Sequence, residues 1–221
     1  MARGSVTRGE RLHDDQWSSR SLARDRRRLP TGFIETCQPV LSDVVPSGPG
    51  WFHEIKHDGW RIIARKSGGR VRLWSRQAYD WTEAFPGIVA ALHHLPLDEL
   101  VLDGEVVAHD ANGLPDFWAL RSPEKACNAV LYAFDLLVLD GKDLRPTDIA
   151  YRRDLLEEVV ADPLGCLTVS ERYDGDGAAL FRHTCAHNLE GIVSKRKDTP
   201  YRSGRFDGWR KIKCPEDRRR E

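Results

Sequence analysis

Long apolar runs are missing from this sequence. None approaches the roughly 20 residues that a bilayer span requires, and the first residues carry no apolar signal-peptide core. Neither a membrane partner nor secretion is therefore expected. The five cysteines are scattered and form no Cys-x-x-Cys pair, so we expect neither a disulfide framework nor a structural zinc site. These absences favour a reducing, cytoplasmic compartment.

Phosphate-binding loop signatures are missing as well. The sequence has no GxxxxGK[ST] segment and no GxGxxG segment after a predicted strand. A nucleotide, if one binds, must be held by other means.

The 221 residues are 40% apolar and 31% charged, which is typical of one globular domain with tails. Bases and acids balance at 34 each, but unevenly along the chain. Residues 1–29 hold eight arginines against four acids, and we expect a disordered basic tail there. Residues 30–214 are predicted to form the domain, and residues 215–221 a polar tail.

Predicted strands and helices are interspersed without a regular βαβ rhythm. This pattern favours an α+β fold, with antiparallel sheets packed with helices, over a doubly wound fold. β-branched and aromatic runs predict strands, and apolar spacing near 3.6 predicts helices. The strands are predicted at Trp51–Ile55, Arg61–Arg65, Val71–Trp74, Val101–Ala108, Ala129–Leu137 and Leu167–Val169, and the helices at Thr82–His94, Tyr151–Val160 and Gly177–His187.

One lysine stands out as a possible nucleophile. Lys56 follows the apolar strand Trp51–Ile55, and Asp58-Gly59 is a tight-turn signal before the next strand. A lysine held at a strand end can act as an amine nucleophile if neighbouring cations or burial lower its pKa. Arg61 is such a cation, and it can also bind a phosphate. On composition alone, a hairpin with solvated charges would be the better explanation of the segment.

Four further segments join acids or bases to apolar strands. Asp103 and Glu105 form an acidic pair at a turn, where carboxylates can bind ribose hydroxyls or a hard cation. Asp135 lies in an apolar run and needs a cation, a metal or hydrogen-bond donors if buried. Glu190 precedes a glycine and an apolar strand. Alternation puts Lys211 and Lys213 on one strand face, where two ammonium groups repel unless an anion joins them.

Together and in this order, the segments resemble the motifs of the covalent nucleotidyltransferase superfamily of ATP-dependent DNA ligases, RNA ligases and mRNA capping enzymes. The matching segments are KHDGWR (residues 56–61), LDGEVV (102–107), YAFDLL (132–137), EGIVSKR (190–196) and WRKIKC (209–214). The flanking segments are most similar to the ligase domain of bacterial end-joining DNA ligases. The resemblance covers roughly residues 37–214.

The resemblance implies an adenylation domain that forms lysyl-AMP from ATP at Lys56, passes AMP to a DNA 5′-phosphate and seals the nick with the 3′-hydroxyl. It also implies Mg²⁺ or Mn²⁺ as cofactor, nicked or broken DNA as partner, DNA repair by end joining as the setting, and a nucleoid-associated location. The resemblance implies Glu54 at the adenine edge, Phe134 stacked on the base, and Arg61 and Glu105 at the ribose. It also implies Lys211 and Lys213 at the α-phosphate, Arg76 at nucleotide or DNA, and Ile55 as a further nucleotide-binding residue. Glu190 is the implied metal ligand, with Asp135 a weaker candidate, and Lys195, Arg196, Arg202 and Arg205 are expected near the DNA backbone.

Two departures from the family pattern stand beside these motifs. Gln77-Ala78 occupies the place of the usual Asn-Gly, although alanine disfavours the positive φ of such a loop. The sequence also ends soon after Cys214, where family ligases continue into an OB-fold, so we expect weak sealing unless a partner protein supplies that domain.

Two alternative functions stay open on the sequence alone. The shared KxDG core is compatible with an RNA ligase or an RNA-end guanylyltransferase. A non-catalytic module that binds nucleotide or DNA ends is also compatible.

Overall fold

A computed structural model describes residues 31–126, 128–161 and 165–215. The predicted tail over residues 1–29 and most of the one over 215–221 lie outside these ranges. Two β-sheets dominate the fold. The strands are β1 (Cys37–Leu41), β2 (Trp51–Ile55), β3 (Trp60–Ser67), β4 (Arg70–Ser75), β5 (Glu99–Val107), β6 (Val130–Leu139), β7 (Lys142–Asp143), β8 (Leu167–Val169), β9 (Gly191–Arg196) and β10 (Gly204–Lys213).

Helices are few and short in the described part of the chain, and no helix there has the length and apolar character of a bilayer span. Pro86 occupies a first-turn position, where its missing N–H costs nothing, and it divides the predicted helix Thr82–His94 in two. The α-helices are α1 (Pro86–His94), α2 (Pro123–Ala126), α3 (Ile149–Val159) and α4 (Gly177–Ala186), and the 3₁₀ helices are Thr82–Ala84 and Phe117–Arg121.

The first sheet has four strands in the order β1-β10-β9-β2. Strand β9 pairs antiparallel with both β10 and β2, whereas β1 pairs parallel with β10. The register places Phe52 opposite Lys195 and Glu54 opposite Val193. The lysine-bearing end of β2 therefore lies beside the strand that follows Glu190.

The second sheet has six strands, in the order β4-β3-β5-β6-β7 with β8 paired parallel to β6. Both faces of this sheet are buried. Successive side chains of a strand point to opposite sides, so neighbouring residues enter different cores. Ile62 belongs to the core beneath the helices, and its neighbour Ile63 belongs to the core shared with the first sheet. That shared core also contains Phe52 from β2, Phe134 from β6 and Trp209 from β10.

One sequence prediction about the cysteines is wrong. Cys185 on α4 and Cys214 after β10 form a disulfide, with their Cα atoms 5.5 Å apart. They are 29 residues apart in sequence, so no local spacing signals the pair. Tertiary structure brings them together, because α4 packs on β9 and the Cys214 N–H donates to the carbonyl of Glu190 at 3.0 Å.

Candidate active site

A cavity that is open to solvent is lined by residues of both sheets. It gathers seven of the predicted site residues, from segments far apart in the sequence. The lining residues are Pro39, Glu54, Ile55, Lys56, His57, Arg61, Glu105, Phe134, Val193, Lys195 and Trp209.

Lys56 forms a charged cluster with two other predicted site residues. Its ammonium bonds the carboxylate of Glu190, and Lys213 Nζ lies 3.3 Å from the second oxygen of that carboxylate. The Lys56 side chain is 22% exposed, against 11% for Glu190 and 9% for Lys213. The most accessible member of the cluster is therefore the predicted nucleophile.

Two glycines allow the backbone around Lys56 and Glu190 to pack this closely. A Cβ at Gly59 would lie 2.1 Å from the carbonyl oxygen of Val106 on β5. A Cβ at Gly191 would lie 2.1 Å from the carbonyl oxygen of Ile212, and the φ of +147° there is one that side chains rarely adopt. The Lys56 N–H also donates to the carbonyl of Gly191 at 2.8 Å, which joins the two segments.

Arg61 enters the cavity from β3 and is held by a buried carboxylate. Its Nε and Nη2 donate to the two oxygens of Asp103 at 2.6 and 2.8 Å, and Nη2 also donates to the Cys37 carbonyl at 3.2 Å. Burial opposes the charge of Arg61, but the paired Asp103 outweighs it and raises the pKa of the guanidinium above its usual range. Arg61 therefore carries a fixed positive charge.

An aromatic wall closes another side of the cavity. The guanidinium carbon of Arg61 lies 4.3 Å from the ring centre of Phe134, and Trp209 meets Phe134 nearly edge-on, at 79° and 6.3 Å between centres. Such a wall offers a stacking surface for a base.

Lys195 lies in the cavity wall rather than on the surface, so its predicted contact with a DNA backbone is wrong. It is 1% exposed, and its ammonium bonds Glu54 at 2.6 Å and packs 4.2 Å from the ring centre of Trp209. The side chains of β9 alternate, which turns Lys195 inward and its neighbour Arg196 outward. Glu54 is equally buried and also approaches Arg153 at 3.5 Å.

Two titratable groups in the cavity have shifted pKa values. Burial raises the pKa of Glu105 from 4.5 to about 7, and the charges of Arg61 and Lys56 only partly counteract it. Burial, assisted by the Lys56 charge, lowers the pKa of His57 to about 4. The ring of His57 is therefore neutral near pH 7, where it stacks on Tyr132 at 4.3 Å.

Several predicted residues lie outside the cavity lining. Arg76, Arg196, Arg202 and Arg205 are exposed, and Arg196 forms an ion pair of 2.8 Å with Asp198. Lys211 is half-buried on β10, two residues before Lys213 on the same strand. These arginines remain candidates for contact with a phosphate backbone.

Asp135 has a structural partner. The sequence required a cation, a metal or donors for this carboxylate, and the structure supplies a cation, since both oxygens accept from Arg152, at 2.8 and 2.9 Å. Both side chains are fully buried, and the pairing with Arg152 balances the charge of Asp135.

The sequence predicted that Asp103, like Glu105, could bind ribose hydroxyls or a hard cation, and it assigned no role to Tyr201 or Trp209. Asp103 is fully buried and lies in an apolar strand, so the argument applied to Asp135 would have predicted a cationic partner for it as well. Tyr201 and Trp209 had no such signal, because they contact Asp103 and Phe134 from segments far apart in the chain.

Comparison with known proteins identifies relatives of the whole described region. The family model for the ATP dependent DNA ligase domain matches residues 35–213. A multifunctional non-homologous end joining protein LigD of Pseudomonas aeruginosa is 37% identical over 207 residues, covering 89% of this chain and 24% of that protein. The corresponding protein of Mycobacterium tuberculosis is 39% identical over 198 residues, covering 88% of this chain and 26% of that protein. The chain thus spans about a quarter of the length of these relatives.

Solved structures show the same fold. The ligase domain of M. tuberculosis LigD superposes with a TM-score of 0.73 at 35% identity, covering 81% of this chain and 60% of that one. A mycobacterial DNA ligase D complexed with ATP and MES gives the same values. The predicted α+β fold of nucleotidyltransferase type is confirmed, with mixed sheets because β1 and β8 pair in parallel.

Proposed function

Because the chain belongs to the ATP-dependent DNA ligase family, we propose that it transfers AMP from ATP through Lys56 to a DNA 5′-phosphate. The observation that carries this proposal is the cluster of Lys56, Glu190 and Lys213 at the cavity. An amine nucleophile, an acid and a second cation meet there, beside an aromatic wall suited to a base.

Three balanced steps make up the proposed reaction. The Lys56 ammonium first gives one proton to water, and the amine attacks the α-phosphorus. An N–P bond forms, the bond to the bridging oxygen breaks to release pyrophosphate, and the attacking nitrogen loses a second proton to water. A DNA 5′-phosphate oxygen then attacks the AMP phosphorus, and the N–P bond breaks as the leaving nitrogen takes up the protons that restore the lysine. The DNA 3′-hydroxyl finally attacks the activated 5′-phosphate and loses its proton to water, and AMP leaves. The covalent intermediate divides one difficult substitution into separate steps.

The cavity residues orient the nucleotide in this proposal. Phe134 stacks on the base and Glu54 meets its edge, while Arg61 and Glu105 bind the ribose. Lys213 lies next to the nucleophile, where its charge stabilises the negative charge that grows on the α-phosphate oxygens.

A divalent metal fits this site only as a partner of the substrate. Within the described ranges, no group of three or more His, Cys, Asp or Glu side chains could hold an ion alone. Mg²⁺ is often bound by one or two carboxylates together with substrate phosphates and water. Glu190 is the carboxylate suited to that role, and Mg²⁺ or Mn²⁺ bound there supplies charge neutralisation at the phosphates.

The proposed DNA partner is a nicked or broken duplex, as in the end joining named for the relatives. Exposed Arg202 and Arg205 near the start of β10, with Arg196 at the end of β9, form a basic surface for the phosphate backbone. Binding through such contacts weakens steeply as salt is raised.

The test follows AMP from ATP to DNA. Purified protein is incubated with α-labelled ATP and Mg²⁺ or Mn²⁺, and then with a nicked duplex. We expect label on the protein, its transfer to the DNA 5′-end, and sealed product, all absent in Lys56→Ala. Label that stays on the protein in the presence of nicked DNA would contradict the DNA substrate. A wild-type protein that neither acquires label nor seals pre-adenylylated nicks would overturn the proposal.

A further inference from the structure

Arg61 owes its orientation in the cavity to a network that crosses the two sheets. The guanidinium from β3 bonds both oxygens of Asp103 on β5 and the carbonyl of Cys37 on β1. Asp103 is fully buried and does not line the cavity, so it acts through Arg61 rather than on a ligand.

The hydroxyl of Tyr201 completes this network. It lies 2.7 Å from Asp103 Oδ2 and accepts a hydrogen bond of 2.8 Å from the Cys37 N–H. A hydroxyl has one proton to donate, and the Asp103 oxygen is much closer than the alternative acceptor, the Glu35 carbonyl at 3.5 Å. Burial and the Asp103 charge raise the pKa of Tyr201 well above its usual value, so the donor stays protonated.

The bonds form a closed ring that leaves one edge of the guanidinium for a ligand. The Cys37 N–H donates to the Tyr201 hydroxyl, which donates to Asp103. Arg61 donates both to Asp103 and to the Cys37 carbonyl, which closes the ring. Nε and Nη2 of Arg61 are both used in this ring. Nη1 makes no hydrogen bond within the part of the chain that the structure describes, and Arg61 lines the cavity.

We infer that Tyr201 is a positioning residue for nucleotide binding, whose hydroxyl fixes Asp103 and thereby directs the Nη1 edge of Arg61 to the ribose. This inference rests on the proposed function, in which Arg61 binds the ribose. It assigns Tyr201 an effect on nucleotide affinity and on recognition of ribose hydroxyls, without contact between Tyr201 and the nucleotide.

Replacement by phenylalanine isolates the hydroxyl from the ring. The Tyr201 ring meets Trp209 edge-on at 86° and 6.1 Å, and Trp209 in turn supports Phe134. Tyr201→Phe keeps these ring contacts and removes only the two hydroxyl bonds. Tyr151→Phe, on α3 with 46% of the residue exposed, is a matched control for the same chemical change.

The test measures the equilibrium dissociation constants of ATP, 2′-deoxy-ATP and 3′-deoxy-ATP by calorimetry, at a temperature where each variant is fully folded. We expect Tyr201→Phe to weaken ATP binding about tenfold, the scale of one lost hydrogen bond to a charged group. For the deoxy analogue that wild type binds most weakly, the ratio of its dissociation constant to that of ATP measures ribose recognition. This ratio should be smaller in Tyr201→Phe than in wild type. Tyr151→Phe should match wild type within twofold.

A double-mutant cycle separates positioning from general stability. In an Arg61→Gln background the Tyr201 hydroxyl no longer has a guanidinium to direct, so Tyr201→Phe should change ATP affinity less than twofold there. An equal loss in both backgrounds would overturn the inference, as would unchanged affinity and ribose preference in Tyr201→Phe. If Lys56 nevertheless acquires AMP in wild type, the proposed function stands. Failure of wild type to bind ATP would overturn both.

Discussion

Loss of the disulfide between Cys185 and Cys214 should destabilise the domain strongly. The bond closes a loop between residues 29 apart, from α4 to the end of β10. Breaking it by reduction or by Cys185→Ser restores the conformational freedom of that loop in the unfolded chain. The native contacts of α4 with β9 and the hydrogen bond from Cys214 to Glu190 do not need the bond.

The loop length sets the expected magnitude. The chain-entropy relation gives about 3.5 kcal/mol at 25 °C for a closed loop of this length. For a domain of this size, 1 kcal/mol corresponds to roughly 2–4 °C in melting temperature. The reduced protein and Cys185→Ser should therefore melt about 10 °C below the oxidised wild type.

Thermal unfolding with and without a reductant measures this difference, and thiol titration of the denatured protein identifies its source. Oxidised wild type should show two fewer reactive thiols than the reduced sample. Cys166→Ser is the control, because Cys166 is a free and partly exposed thiol, and reductant should still lower its melting temperature. Equal thiol counts before and after reduction, or equal melting temperatures of wild type and Cys185→Ser, would refute the reasoning.

Three further changes have defined outcomes. Ala78→Gly should raise the free energy of unfolding by about 0.5–1 kcal/mol in urea titrations, because the alanine has a φ of 62°; no gain would contradict a strained loop. Burial raises the pKa of Glu105 to about 7, so the folded state holds its proton more tightly and loses stability as pH rises from 4.5 to 7. The stability of Glu105→Gln relative to wild type should therefore rise across that window, and a constant difference would exclude the shift. Lys195→Met should weaken ATP binding and leave the salt dependence of nick binding unchanged, whereas Arg202→Ala should reduce the slope of log K against log salt by about 0.9. A reduced slope in Lys195→Met with an unchanged slope in Arg202→Ala would show that Lys195 contacts the DNA backbone.

Much of the fold could be predicted where one strand face is apolar and turn residues bound the run. Strands β2 and β8 have the predicted ends, Trp51–Ile55 and Leu167–Val169. Strand β1 was not predicted, because its sequence, CQPVL, has little alternation and contains a proline. That proline, Pro39, lies where the pairing of β1 with β10 shifts register, a position that tolerates a missing N–H.

The site could be predicted as a set of residues, but only partly as a set of contacts. Lys56, Glu190 and Lys213 do meet, as the resemblance implied. Lys195 was misplaced because it was grouped with Arg196, Arg202 and Arg205, which do lie on the surface. Its burial depends on Glu54, which arrives from the neighbouring strand β2 and neutralises the charge.

Contacts between distant segments account for the rest. Tyr201 and Asp103 are 98 residues apart, and nothing local to either residue indicates the pairing. The partner of Asp135 is Arg152 on α3. The sequence predicts that Arg152 lies in a helix, but it does not predict which way the side chain points. Only the packing of α3 against β6 determines that this arginine points inward.

The most direct measurement of the central claim is to locate AMP on the protein. After incubation with ATP and Mg²⁺, intact-mass spectrometry followed by peptide mapping at neutral pH identifies the modified side chain. We expect one AMP per chain, on Lys56, lost on acid treatment as a phosphoramidate should be, and absent from Lys56→Arg. AMP on another residue, or none on a protein that binds ATP, would contradict it.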